Sequence, residues 1–149
     1  MSTLPLIAHR TLDAIVAWRH CTPIRARQFL SEVDHVANLL PQGRHVLNLC
    51  SDRYHFAVSL AACIVRGRVS LLPSTHTAKT VRQMQRICPD VFCITDRENS
   101  DTDLPTLRYP ESVPPSAPHP AIPPIDCDQV IAEVFTSGSS GLPVPHTKR

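Results

Sequence analysis

The chain has 149 residues, the length of one ordinary domain, and is 42% hydrophobic and 19% charged, so most of it is expected to fold. Its net charge of +2 is too small for the electrostatic footprint of a nucleic-acid-binding protein. The longest nearly apolar run, Phe56 to Val65, is too short to span a bilayer, and the N-terminus lacks the features of a secretory signal. We therefore predict a cytoplasmic protein with no membrane span and no nucleic-acid partner.

The cysteines are typical of a reduced intracellular protein. They contain no CxxC pair, and most lie in apolar segments, where a thiol acts as a small hydrophobic group. Cys88 and Cys93 resemble half of a metal site that a histidine could complete, but the usual short ligand spacings are missing. The sequence therefore predicts no metal site.

The first regular element is an amphipathic helix that begins at Arg25. Pro41 and Gly43 end it. Its apolar positions recur three or four residues apart, as on one face of a helix: Ala26, Phe29, Leu30, Val33, Val36, Ala37 and Leu40.

Short apolar strands then alternate with two further helices. Strands are predicted at His45–Cys50, Val69–Leu72 and Asp90–Thr95. Ser51 and Asp52 offer a polar cap for a helix around Tyr54–Val65, and Thr77 offers a cap for a helix with Val81, Met84 and Ile87 on one face. This alternation predicts an α/β fold, a partial parallel sheet with helices on both faces.

Prolines divide the chain into three parts. Eight of the fifteen prolines lie between residues 105 and 124, too densely for a helix or a central strand. We predict an α/β portion over residues 1–104, a semi-extended connector over 105–126, and a strand with a ligand-binding loop over 127–149. The last strand is expected at Gln129–Thr136.

A loop rich in serine and glycine follows that last strand. Glycines allow a tight turn and close approach of a ligand, while hydroxyl and free N–H groups favour phosphate oxygens. The loop does not match the Walker pattern, because Pro143 comes five residues after Gly138 and no lysine follows Gly141. It also lacks the Gly-x-Ser-x-Gly turn of a hydrolase. A simple Ser/Gly turn remains the alternative.

The segment FTSGSSGLP, Phe135 to Pro143, resembles the phosphate-binding signature of the AMP-forming adenylating superfamily, which includes acyl-CoA synthetases, luciferases and adenylation domains. The upstream segment from His45 to Asp96 is similar to the usual order of strand, helix ending in Arg-Gly, strand, helix and strand in that family. The resemblance covers nearly all of the chain.

The resemblance implies a site for ATP with Mg²⁺. The residues that would close over the β- and γ-phosphates are Thr136, Ser137, Gly138, Ser139, Ser140 and Gly141. The implied chemistry joins a carboxylic acid to AMP with loss of pyrophosphate, and then transfers the acyl group to a thiol of CoA or of an acyl carrier protein.

One residue departs from the family pattern. Val144 stands where the family usually has lysine, and Lys148 is the next cation along the chain. Lys148 either supplies the phosphate contact, as in a variant that resembles ligases of aryl-polyene and pigment clusters, or is a solvated residue. We include it as a candidate ligand.

The residues that would perform catalysis cannot be assigned. In the family, the residues that bind adenine, ribose and Mg²⁺ and the adenylation lysine lie downstream of this loop, and the sequence stops at Arg149. We therefore expect an incomplete ligase that needs the missing C-terminal portion and does not turn over alone. The alternatives are a non-catalytic module that binds a nucleotide or partner, and an unrelated α/β domain with a coincidental loop.

Overall fold

A computed structural model describes residues 1–99, 102–137, 141 and 143–149, apart from the side chain of Ser137. Its helices are α1 (Ala26–Leu39), α2 (Arg53–Val65) and α3 (Ala78–Ile87). Its strands are β1 (Thr3–Pro5), β2 (Ile15–Arg19), β3 (Thr22–Arg25), β4 (His45–Asn48), β5 (Val69–Leu72), β6 (Phe92–Thr95), β7 (Thr106–Arg108), β8 (Pro124–Asp126), β9 (Ala132–Ser137) and β10 (Pro143–Lys148).

The centre of the fold is a six-stranded sheet with the strand order β10-β9-β5-β4-β6-β7. The five strands from β9 to β7 are parallel, and β10 pairs antiparallel with β9. The chain passes from β4 to β5 on one side and then returns to β6 on the other side of β4. The predicted α/β class with a parallel sheet is confirmed.

Helices cover both faces of this sheet. Val46, Phe92 and Ile94 are fully buried with Cys63 of α2 on one face, where α1 packs against α2. On the other face, Met84 of α3 packs with a second buried set: Leu47, Leu71, Cys88, Val91, Cys93, Leu104 and Phe135. Because neighbouring strand residues point to opposite faces, the short apolar strands supply both cores.

Side-chain caps fix the start of two helices as predicted. Asp52 accepts hydrogen bonds from the backbone N–H groups of Tyr54 and His55, at 2.8 and 3.0 Å, and so begins α2. Thr77 Oγ1 accepts a bond from the N–H of Thr80 at 3.2 Å and begins α3.

The N-terminal residues and the proline-rich segment form two small additions to the sheet. β2 and β3 make a hairpin whose two-residue turn, His20 and Cys21, has φ values of 48° and 61°. β1 pairs with β8, and Arg27 of α1 donates a hydrogen bond to the carbonyl of Pro118. The stretch predicted as a connector thus contains β7 and β8, while its separation as a domain boundary stays a prediction.

The end of the chain differs from the expectation in one respect. The predicted strand Gln129–Thr136 is found at Ala132–Ser137, and β10, which was not predicted, returns beside it. The six cysteines, all of which lie within the described residues, form no disulfide bond there. Within the described ranges, no helix has both the length and the apolar character that crossing a lipid bilayer requires.

Candidate functional site

The predicted phosphate loop begins where β9 ends, at the carboxyl end of the parallel sheet. Thr136 and Ser137 are the last residues of β9, and Pro143 pairs with Ser137 to begin β10. Gly138, Ser139 and Ser140 lie outside the described residues. Ligands of open α/β sheets bind at this end of the strands, so the loop stands in a position suited to binding.

Thr136 presents an exposed hydroxyl beside the loop. It lies opposite Val144 in the hairpin, and its Oγ1 is 3.4 Å from Nε2 of His146. Gly141 is exposed with a φ of 75°, and among the described residues, its own atoms and chain neighbours aside, none has an atom within 4 Å of the position that a Cβ would occupy. A hydroxyl and an open, left-handed glycine are features that suit close approach of an anion.

Lys148, by contrast, lies far from the loop. Residue 148 pairs with Ala132 at the beginning of β9, whereas Val144 pairs with Thr136. The two positions are four residues apart along β10, about 13 Å. In this register Lys148 lies at the opposite end of the hairpin from Thr136, and its phosphate contact stays a prediction.

A second polar group lies at the carboxyl ends of β4 and β6, and sequence reasoning missed it. Asp96 accepts hydrogen bonds from the N–H groups of Ser51 and Asp52, from Oγ of Ser51 and from Nδ1 of His55, at 2.8 to 3.1 Å. Burial alone would raise the pKa of Asp96, but these hydrogen bonds together hold it well below its usual range. Asp96 is therefore a fully engaged carboxylate that joins the end of β6 to the start of α2.

His55 is held in one tautomer within this group. Its Nδ1 faces the carboxylate of Asp96, while its Nε2 lies 3.0 Å from Nη2 of Arg19 and must accept that bond. The ring also stacks on Tyr109, with centroids 3.9 Å apart. Arg19 further pairs with Asp52 at 3.1 Å. His55 thus has a structural role here, because its Nε2 lone pair is engaged by Arg19.

Two tyrosines share one acidic partner beneath this network. The hydroxyls of Tyr54 and Tyr109 donate to the two oxygens of Glu32, at 2.8 and 2.5 Å. Burial, with the nearby Glu32 carboxylate, raises the pKa of both phenols. Glu32 thereby links α1 to α2 and to the segment after β7.

A cleft of about 320 Å³ opens between α3 and the carboxyl ends of β4 and β6. The residues that line it include Leu49, Thr95, Arg82 and Arg97. Burial, followed by the charge of Arg97, lowers the pKa of nearby His76. The cleft lies where the chain changes direction across the sheet, the usual place for ligands in such folds.

This architecture defines an α/β fold with a candidate nucleotide site at the carboxyl end of its sheet. No protein-family model matches the chain, and no curated protein matches it. Solved structures do match. O-succinylbenzoate coenzyme A synthetase (MenE) from Bacillus subtilis in complex with AMP has a TM-score of 0.73 and 18% sequence identity, over 97% of this chain and 42% of that protein.

Two further structures show the same likeness. The MenE complex with ATP and magnesium ion has a TM-score of 0.71 and 17% identity over 97% of this chain and 43% of that one. The Klebsiella oxytoca NpsA N-terminal subdomain, in complex with 3-hydroxybenzoyl-AMSN, has a TM-score of 0.68 and 15% identity over 91% and 36%. The chain thus spans about two fifths of the length of these proteins. It shares the fold that these structures have over the matched part of their length.

Proposed function

We propose that this chain is the N-terminal part of an ATP-dependent, AMP-forming ligase that activates a carboxylic acid for transfer to CoA or to a carrier-protein thiol. The observation that carries the proposal is the place of the FTSGSSGLP segment, which begins at the end of a parallel strand in a fold shared with MenE. MenE has been solved with AMP, with ATP and magnesium ion, and with an acyl-adenylate.

The residues of the loop suit the task of holding phosphate. The hydroxyl of Thr136 is exposed and can donate to an anionic oxygen, and the serines and glycines that follow offer hydroxyl and N–H donors. Transfer of a nucleotidyl group depends chiefly on aligned oxygens and stabilised negative charge. Mg²⁺ would bind together with the phosphates, because in such sites the protein itself supplies few of its ligands.

A second candidate is nucleotide binding without chemistry. Val144 replaces the usual lysine of the family pattern, and Lys148 pairs with Ala132 at the far end of the hairpin. No lysine or arginine side chain is therefore placed beside Thr136 by the hairpin itself. The assignment to the aryl-polyene branch depends on the displaced lysine alone and stays a prediction.

Titration with a fluorescent ATP analogue in the presence of Mg²⁺ tests the shared part of both candidates. We expect saturable binding that is about tenfold weaker in Thr136→Ala, because one hydrogen bond to a charged oxygen is lost. Thr147→Ala makes the same change at an exposed residue further along β10, so it is the matched control and should bind like the original chain. Absence of saturable binding, or equal weakening in both variants, would overturn the phosphate-site proposal.

Isotope exchange between pyrophosphate and ATP, in the presence of a panel of carboxylic acids, separates the two candidates. Exchange in the ligase that contains this segment, lost in its Thr136→Ala variant, would support acid activation. Nucleotide binding without exchange in that protein would instead favour the non-catalytic module.

A further inference from the structure

Three side chains of the kinds that bind metal ions meet at the amino end of the central sheet. They are His45, the first residue of β4; Cys88, which follows α3; and Glu133, in β9. One ring nitrogen, the Sγ atom and one carboxylate oxygen all lie within 4.8 Å of one another. Three separate elements therefore bring a nitrogen, a sulfur and an oxygen donor to one point.

The strand pattern explains why these side chains converge. Leu47 and Phe135 belong to the core beneath α3, and His45 and Glu133 precede them by two residues, so they point to the same face. Cys88 is placed by the last turn of α3, where its N–H donates to the carbonyl of Met84 at 2.8 Å. The cluster thus lies where the C-terminal end of α3 meets the sheet.

Asp90 orients the histidine of this cluster. Its Oδ1 is 2.7 Å from Nδ1 of His45, and its Oδ2 accepts the backbone N–H of Arg44 at 2.7 Å. Nδ1 of His45 then carries the ring proton and donates a hydrogen bond to Asp90, so the lone pair is on Nε2. Pairing of a carboxylate with one ring nitrogen is the usual support for a histidine that ligates metal through the other.

The Cys88 Sγ atom and the Glu133 carboxylate are both available to bind a metal ion. Cys88 is 6% exposed, and Glu133 is partly buried. Within the part of the chain that the structure describes, neither the Cys88 Sγ nor the Glu133 carboxylate makes a hydrogen bond or an ion pair. The carboxylates of Glu133, within the cluster, and of Asp90, against His45, lie close together, and a divalent cation would offset their negative charge.

We propose that His45, Cys88 and Glu133 bind one Zn²⁺ ion, with Asp90 as a positioning residue and water in the fourth position. Mixed sulfur, nitrogen and oxygen ligands suit zinc. Zinc–ligand bonds of about 2.0–2.3 Å put tetrahedral ligand atoms about 3.3–3.8 Å apart. Side-chain rotation would therefore have to bring the three ligand atoms about 1 Å closer to one another. The Cys88 thiol releases its proton to solvent as the Zn–S bond forms.

The ion would join α3 to two strands of the sheet. His45 belongs to β4 and Glu133 to β9, and β5 lies between them, so the metal would tie the end of α3 across three strands. Its role would be structural, because metal binding to the folded state stabilises that state.

Titration of the metal-free chain with Co²⁺ as a spectroscopic substitute for zinc tests the site. We expect a thiolate-to-cobalt charge-transfer band that saturates at one equivalent and disappears when Zn²⁺ is added. Cys88→Ser should lose the band. The matched control is Cys21→Ser, which removes an exposed thiol in the β2–β3 turn and should retain it. Absence of the band, or its loss in the control, would overturn the proposal.

Two further variants separate metal binding from failure to fold. Asp90→Asn should keep the band at saturation but weaken metal affinity about 10- to 100-fold, as expected of a supporting carboxylate. Glu133→Gln preserves the side-chain shape on a partly exposed strand residue. Zn²⁺ should raise the thermal midpoint of the original chain and have no such effect on Glu133→Gln. An equal rise in both would contradict the assignment.

Discussion

An aspartate and a histidine are paired at each end of β6, and the two pairs differ in what surrounds them. At the carboxyl end, Asp96 faces Nδ1 of His55 at 3.1 Å, and Arg19 occupies the other ring nitrogen. At the amino end, Asp90 faces Nδ1 of His45 at 2.7 Å. There the neighbouring groups are a thiol and a carboxylate instead of a guanidinium.

The difference shows that the partner of the second nitrogen decides what such a pair can do. When a guanidinium donates a hydrogen bond to that nitrogen, the histidine lone pair is engaged and the histidine has a structural role. Where the groups beside the histidine are electron-pair donors instead, its second nitrogen is left available for a shared cation. The histidine at the carboxyl end of the sheet thereby has a structural role, while the histidine at the amino end lies beside the other two proposed metal ligands.

The largest expected effect is on the amino end of the sheet, which a substitution of Gly43 should disrupt. Gly43 has a φ of 124°, and a Cβ there would lie 2.2 Å from the backbone oxygen of Asp90. Gly43→Ala should lower the free energy of unfolding by about 3 kcal/mol, from backbone strain and displacement of the turn that carries Asp90. Urea denaturation measures it.

A second glycine gives the matched control for that change. Gly67 has a φ of 65°, but apart from its own atoms and its chain neighbours no described residue lies within 4 Å of its missing Cβ. Gly67→Ala should cost only about 1 kcal/mol, since it adds conformational strain without a clash. Equal costs at the two glycines would mean that the contact with Asp90 is relaxed in solution.

The next largest effect is at the carboxyl end of the sheet, where a substitution of Asp96 should lower stability. Asp96→Asn replaces an acceptor-only group with one whose amide NH₂ must face a donor, such as the N–H of Asp52. We expect a loss of about 2 kcal/mol in the free energy of unfolding, measured in urea at neutral pH. A stability unchanged by the substitution would contradict the idea that this carboxylate fastens α2 to β6.

The same residue predicts a pH dependence. The folded pKa of Asp96 is depressed below the unfolded value of about 3.9, so its stabilisation is present above that pH and is lost as the pH falls. Asp96→Asn should therefore flatten the acid limb of stability against pH. Its slope should not vanish, because the pKa values of Asp52 and Asp90 are also lowered.

The smallest effect concerns the helix that connects the two ends. Thr77 caps the start of α3 beside the carboxyl end of the sheet, and Cys88 follows the helix at the amino end. Thr77→Ala removes the cap and should cost about 1 kcal/mol. If Zn²⁺ fixes the far end of α3, the loss should be unchanged in its presence, because capping and ligation act on opposite ends of the helix.

Local patterns in the sequence predicted the three helices and the four inner strands of the central sheet, β4, β5, β6 and β9. The strand at Val69–Leu72 and the caps at Asp52 and Thr77 are found as predicted, because hydrophobic period and capping side chains act over a few neighbouring residues. The parallel sheet followed from strand and helix alternation.

Features that depend on distant parts of the chain were not predicted. β10 was missed because Pro143 and Pro145 argue against an ordinary strand, and only an edge position accommodates them. The cluster of His45, Cys88 and Glu133 was missed because metal-ligand patterns are read from short spacings, whereas this set is assembled by the crossover of α3. The partner of Asp96 likewise depends on strand order.

The prolines of β10 also determine how the sheet terminates. The N–H of Ser70 bonds to the carbonyl of Ile131, so the odd-numbered residues of β9 direct their backbone groups to β5 and the even-numbered ones to β10. In the paired register, Pro143 and Pro145 then direct their nitrogens outward. An arriving strand would meet two positions that cannot donate, so this side of the sheet resists the edge-to-edge stacking that leads to aggregates.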